Sequence, residues 1–167
     1  MRIFLIGFMG AGKSKLGRSL ANNIGVDFID LDDEIARIHN QSISKIFEEK
    51  GESGFREIEK EVLKDWIKRD NYLMACGGGT PCYKNNMDLM NASGSTVYLD
   101  VPSEVLLSRL SNSKVNRPLI QGMTKSELEI YIDNKINERK PYYLKSKIWI
   151  NPIETSLDTI VTSLRYF

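Results

Sequence analysis

Residues 7–14 read Gly-Phe-Met-Gly-Ala-Gly-Lys-Ser, the complete G-x-x-x-x-G-K-S spacing of a phosphate-binding loop. Such a loop wraps a polyphosphate in backbone N–H groups, so Gly7, Gly10 and Gly12 keep Cβ atoms out of the way. Lys13 brings a point charge to the β- and γ-phosphates, and the Ser14 hydroxyl is a hard oxygen for Mg²⁺. Gly10, Ala11, Gly12, Lys13, Ser14 and Lys15 are the expected nucleotide-binding residues. Asp30 and Asp32 stand two apart after an apolar pair. If the chain stays extended there, both carboxylates point to one side. One can then serve Mg²⁺ through water while the other accepts a hydrogen bond from an attacking hydroxyl. The competing reading is the acidic first turn of a helix starting near residue 33.

Three arginines carry a similar ambiguity. Arg56 and Arg139 lie in charged helical stretches, where the ordinary role is a solvated face. A carboxylated substrate would nevertheless select arginine, whose planar fork grips carboxylate at two points. Arg117 sits in the polar, weakly periodic stretch 111–118, which reads as a mobile loop; from there it could close over a γ-phosphate. Gly77-Gly78-Gly79 allows a backbone to approach a ligand, or makes a flexible turn. Phe47 and Phe55 suit either a core or a pocket wall, and Arg109 either a helix surface or a stack on adenine.

The elements that must position these groups follow from hydrophobic pattern. Short apolar runs near 2–6, 26–29, 72–76, 95–99 and 147–150 alternate with longer amphipathic stretches. Alternation of this kind predicts an α/β fold in three layers, a parallel sheet with helices on both faces. Local chemistry marks helix starts: Pro102 opens 102–111, a Thr124-x-x-Glu127 capping box opens 125–140, and Thr155 or Ser156 precedes the last helix. Ligands of parallel sheets bind at the carboxyl ends of the strands. The phosphate loop, Asp30-Leu31-Asp32 and Gly77-Gly78-Gly79 all follow strand ends, so they converge on one rim.

The 167 residues carry 23 Lys+Arg against 22 Asp+Glu, interspersed, which argues against a nucleic-acid stripe or an electrostatic membrane anchor. No apolar run reaches bilayer length, and the first strand begins too early for a signal peptide. A cytoplasmic protein with a small-molecule partner is expected, a monomer by default. Cys76 and Cys82 lack metal-site spacing and read as reduced thiols.

Taken in order, the pieces resemble shikimate kinase over about residues 2–144: the phosphate loop; Phe28-Ile29-Asp30-Leu31-Asp32; Ser42-Ile43 and Ile46-Phe47; Gly51-Glu52 with Phe55-Arg56 and Glu59; Gly77-Gly78-Gly79; Arg117-Pro118-Leu119; and Glu138-Arg139 with Pro141 and Tyr143. The resemblance implies a nucleoside-monophosphate-kinase-like fold, a P-loop NTPase with five parallel strands in order 2-3-1-4-5. It implies a core of 1–32, 70–110 and 145–167, a substrate-binding region at 33–62 and a lid at about 111–124. It also implies ATP-dependent phosphorylation of the shikimate 3-hydroxyl, with Lys13, Asp32 and Arg117 catalytic. Ser14 and Asp30, the latter through water, would serve Mg²⁺. Arg56 and Arg139 would clamp the shikimate carboxylate, Asp32 would bind the shikimate hydroxyls, the backbone of Gly78 and Gly79 would contact the ring hydroxyls with Gly77 beside them in the substrate site, Phe47 and Phe55 would line the pocket, and Arg109 would meet the nucleotide. The chain departs from the family pattern at Leu144-Lys145-Ser146-Lys147 and in a shortened loop at Asn151–Thr155. A gluconate-type sugar-acid kinase and a non-catalytic nucleotide-sensing module are the alternatives.

Overall fold

The computed structural model describes residues 1–113 and 117–164; residues 114–116 of the expected loop at 111–118 lie outside the described residues. Strand β1 (Arg2–Ile6) is buried at every position after its first. A central parallel strand covered on both faces has no side turned to water, which is why its sequence is continuously apolar. It pairs in parallel with β3 (Tyr72–Ala75) and β4 (Ser95–Leu99), and β2 (Asp27–Asp30) and β5 (Ile148–Ile150) complete the order β2-β3-β1-β4-β5. Ala75 stands opposite both Leu5 and Asp30. The strand ends that launch the phosphate loop, the two aspartates and the glycine run are therefore level with one another.

Alternation along β1 divides the core. Ile3 and Leu5 pack with residues of α1 (Lys13–Ile24), α5 (Ser103–Ser111) and α7 (Leu157–Leu164); Phe4 and Ile6 pack with α2 (Leu31–His39), α3 (Ile43–Ile67) and α4 (Asn86–Ser93). Helix α6 (Lys125–Tyr143) belongs to both cores, with Leu128 and Ile132 in the first and Tyr143 in the second. Arg139 lies between those anchors. Helix α3 bends at Gly51, whose φ of 66° and ψ of −179° are open only to glycine, so Phe47 and Phe55 approach from two differently directed halves. Among the described residues no helix is long and apolar enough to cross a membrane.

Helix boundaries follow local chemistry with three differences from expectation. The Thr124–Glu127 capping box forms as expected, and Ser156 rather than Thr155 receives the N–H of Thr159 at the head of α7. Pro102 stands one position before the helix, as the N-cap of Ser103–Ser111. Helix α6 does not stop before Pro141 but continues to Tyr143. Proline costs one backbone hydrogen bond there, and the fully buried Tyr143 ring holds the last turn in place. Finally, β2 ends at Asp30 and helix α2 begins at once with Leu31, so the extended geometry expected through Asp32 does not persist.

Candidate active site

Two adjoining cavities open on the rim. The first, about 360 Å³, is lined by Gly10, Gly12, Lys13, Ser14, Lys15, Asp30 and Asp32 with Arg109, Leu110 and Arg117. The second, about 260 Å³, is lined by Ile43, Ser44, Phe47, Phe55, Arg56, Glu59, Gly79, Pro118, Leu119 and Arg139. Met9, Asp32, Gly77, Gly78 and Arg117 line both. Every residue expected at the site therefore reaches one of the two chambers except Ala11. Its side chain is buried and its N–H donates to Phe8 at 3.2 Å, so it shapes the loop from behind.

In the first chamber Gly12 caps α1 with φ of 94°, a conformation that strains any residue with a Cβ and that turns the following N–H groups toward the cavity. Lys13 Nζ donates to the carbonyls of Gly7 at 2.8 Å and Phe8 at 2.9 Å. Removal from water pulls its pKa down to about 8, against the opposing pull of Asp32. Ser14 Oγ donates to Asp30 Oδ2 at 2.6 Å, while Asp30 Oδ1 accepts from the N–H of Asp32 at 3.1 Å as the N-cap of α2. That cap explains how two carboxylates share one side without an extended strand: Asp32 is reached by the first helical turn. Burial, then the neighbouring charges of Glu59 and Asp30, push Asp32 up to about 6.

The second chamber is built around a buried carboxylate whose role sequence reasoning left unassigned. Glu59 is fully buried, accepting from Arg56 Nη1 at 2.6 Å and from Thr80 Oγ1 at 2.5 Å. A signal was available: Glu59 falls on the stripe Phe55, Val62 and Trp66 that α3 buries, where a solvated carboxylate does not belong. Burial works against the charge on Arg56, and Glu59, with Glu52 and Asp32, outweighs it and raises the guanidinium's pKa. A Cβ on Gly79 would sit 2.5 Å from Arg56 Nη2, so the glycine run is a tight seat for side chains rather than a flexible turn. Phe47 and Phe55 face each other with ring centroids 4.5 Å apart. Arg139 is 4% exposed and stands over the Phe8 ring, and among the described residues it forms no ion pair. A buried cation of that kind is a strong receptor for a carboxylate.

Arg117 lines both chambers, and its Nε is buried without a hydrogen-bond partner among the described residues. Burial lowers its pKa, with Asp32 opposing. Arg109 packs onto the phosphate loop, Nη1 donating to Gly10 at 3.0 Å and more weakly to Ala11. It also lines a third cavity of about 460 Å³ with Ala11, Gly12, Lys15, Leu16, Ser19, Pro152 and Leu157. Lys145, at the first departure from the family pattern, lies near the Tyr142 ring and lines neither of the two main chambers.

A phosphate chamber joined, at an aspartate and an arginine, to an anion-receiving one is the layout of a small-molecule kinase. The family model described as shikimate kinase matches residues 9–165. The chain belongs to the shikimate kinase family. It is 44% identical to the shikimate kinase of Parabacteroides distasonis over 88% of this chain and 85% of that one. It superposes on the crystal structure of shikimate kinase from Bacteroides thetaiotaomicron with a TM-score of 0.91 and 38% identity, covering 99% and 97% of the two chains. The shikimate kinase of Acinetobacter baumannii, solved in complex with shikimate, superposes with a TM-score of 0.87 at 34% identity, covering 98% and 90%. Shikimate kinases use ATP as a substrate and act on a small molecule, and the observed strand order is the one expected for their fold.

Proposed function

We propose that this chain transfers the γ-phosphoryl group of ATP to the 3-hydroxyl of shikimate, releasing ADP and shikimate 3-phosphate for the synthesis of chorismate and aromatic amino acids. The observation that carries the reading is the junction: Asp32 and Arg117 belong to the walls of both chambers, with the buried Arg139, which forms no ion pair among the described residues, in the acceptor half. Gly10, Gly12, Lys13, Ser14 and Lys15 hold the polyphosphate, and Arg109 adjoins the nucleotide. Arg139 and Arg56 grip the acceptor carboxylate, Glu59 keeps the Arg56 guanidinium aimed, and Phe47 and Phe55 wall the ring. The Gly77, Gly78 and Gly79 backbone meets its hydroxyls.

Held this way, the 3-hydroxyl oxygen attacks the γ-phosphorus in line, the bond to the β–γ bridging oxygen breaks, and the hydroxyl proton passes to Asp32. A carboxylate raised to about 6 is still mostly ionised at neutral pH and is more basic than an exposed aspartate. Arg117 and Lys13 neutralise charge on the transferring group, since positioning and electrostatics do most of the work in phosphoryl transfer. Two hard oxygens, Ser14 Oγ and Asp30 Oδ2, stand 2.6 Å apart beside the phosphate chamber, a donor set that suits Mg²⁺. Ser14 and Asp30 would hold Mg²⁺, which would supply charge neutralisation to the bound polyphosphate.

In this reading 1–32, 70–110 and 145–167 form the nucleotide-binding core, 33–62 the acceptor region and about 111–124 a lid. A monomer working in the cytoplasm on small molecules alone fits the balanced charge. The test is a coupled ADP-release assay with shikimate or gluconate, each with and without Mg²⁺. Turnover with shikimate and Mg²⁺ only is expected; turnover with gluconate, or with neither acceptor, overturns the reading.

A further inference from the structure

We infer that Arg109 is a positioning residue of the phosphate loop: from α5 it holds the Gly10 and Ala11 carbonyls and so orders the loop for a polyphosphate, independently of any contact with the base. The inference rests on the nucleotide half of the reading above. Arg109 Nη1 donates to the Gly10 carbonyl at 3.0 Å and to the Ala11 carbonyl at 3.3 Å, reaching across 99 and 98 positions of sequence. Nη1 carries two N–H groups, so one atom serves both oxygens. Leu110 and Leu106 of the same helix approach within 3.2 and 3.7 Å of the point a Gly10 Cβ would occupy, and Ala11 is buried in one core with them. Helix α5 is thus an apolar seat for the loop with a cationic tether beside it.

A loop that offers N–H groups to a polyanion must find partners for its carbonyl oxygens, since a carbonyl turned inward repels phosphate. Two cations divide that task. Lys13 takes the carbonyls of Gly7 and Phe8, and Arg109 takes those of Gly10 and Ala11. The Gly10–Ala11 peptide is held at both ends, because the Ala11 N–H donates to Phe8 at 3.2 Å. The Ala11–Gly12 peptide is trans, so its N–H points opposite to the carbonyl that Arg109 holds. Among the described residues the Gly12 N–H has no backbone acceptor, and Gly12 lines the first chamber.

Gly10 and Gly12 flank the tethered peptides with φ of 82° and 94°, and glycine backbone turns freely unless something outside it intervenes. Lys13 has a second task at the phosphates, whereas Arg109 grips the loop from a separate helix. A base contact and a hold on the loop are separable by ligand, because a polyphosphate without a base uses only the second. The charge of the guanidinium also attracts a polyphosphate directly, but that attraction does nothing to the loop when no ligand is bound.

The test compares wild type with Arg109→Met, which keeps an unbranched stem on an exposed position and removes the guanidinium. Nitrogen-15 relaxation reads the backbone of the ligand-free protein, and calorimetry measures inorganic tripolyphosphate, ATP, adenosine and shikimate. Loss of the tether should lower the order parameters of the Ala11 and Gly12 amides from the rigid range of about 0.85 toward about 0.6. The Kd values for tripolyphosphate and ATP should both rise about tenfold, the worth of one hydrogen bond, and that for shikimate by less than about twofold. Unchanged order parameters would leave only the attraction of charge and overturn the inference. So would a loss seen with ATP and adenosine and not with tripolyphosphate, which would assign Arg109 to the base alone. Equal weakening of shikimate, or loss of cooperative folding, would make the residue a general structural one and overturn it too. None of these readouts needs turnover of the acceptor, so a wild-type chain that binds ATP and fails to phosphorylate shikimate removes the proposed function and leaves the tether in place.

Discussion

Replacing Glu59 with glutamine removes one charge from the centre of the acceptor chamber while keeping the shape. The glutamine carbonyl can accept from Arg56 as Oε2 does now at 2.6 Å, and its amide can donate to Thr80 Oγ1, which accepts once its hydroxyl rotates. Both hydrogen bonds survive in reoriented form, and the ion pair does not. Arg56, 8% exposed, is left with Glu52 at 3.6 Å, a partner whose side chain is 55% exposed and correspondingly screened. Removing one member of a buried pair costs about 3–5 kcal/mol, and the surviving hydrogen bonds put Glu59→Gln near the lower limit, about 3 kcal/mol. For a chain of this size that is a fall in Tm of about 6–12 °C. The same change lowers the pKa of Asp32, because Glu59 follows burial among the causes that raise it. Thermal denaturation and the pH dependence of kcat/KM for shikimate read both effects: a lower Tm, and an acid limb displaced to lower pH. A variant with wild-type Tm and an unmoved limb would refute the coupling of Glu59 to Arg56 and Asp32.

Arg117→Ala should lower kcat by about 10²–10⁴ with little change in shikimate KM, as removal of an arginine from phosphoryl transfer does, and an unchanged kcat removes it from the reaction. Arg139→Ala should weaken shikimate binding by about 2–5 kcal/mol in calorimetry while ATP binding is spared; equal shikimate affinity excludes it from the acceptor site. The wild-type kcat/KM should fall as pH drops through about 6, since Asp32 must be ionised to take the hydroxyl proton and its raised pKa brings that loss to higher pH. A profile flat to pH 5 contradicts that role. Gly79→Ala would bring a Cβ within 2.7 Å of Arg56 Cζ, so it should cost about 1–3 kcal/mol of stability and loosen shikimate binding together; wild-type values of both would mean that Arg56 yields freely.

Much of this was legible in the chain itself. The five strands stand where the apolar runs stand, because parallel strands between two helical layers leave no polar face to blur the signal. The phosphate loop and the Thr124–Glu127 box are local chemistry, in which neighbours in sequence suffice to define the geometry. What escaped depends on contacts distant in sequence. Pro141 ends helices by local rules, and α6 passes through it because Tyr143 is anchored in a core built from α3 and α4. Asp32 shares a side with Asp30 through a helix cap that spacing alone represents as a strand. Glu59 was visible as a motif residue, and the partner that explains it, Thr80, lies 21 positions away. The arginines were named as anion-binding candidates without an order among them. Arg139 stands apart because Arg56 already has carboxylates and Arg139 has none within ion-pair range among the described residues.

The bend at Gly51 separates what a pocket is made of from what sets its size. Phe47 precedes it and Phe55 follows it, so the 4.5 Å between their rings depends on one backbone angle at a residue with nothing within 4 Å of its own Cβ position. Selectivity for acceptor girth is thus adjustable from outside the pocket. A residue with a side chain at 51 cannot hold the present angle, and relaxing it would swing the Phe47 wall relative to the half of α3 that carries Phe55, Arg56 and Glu59.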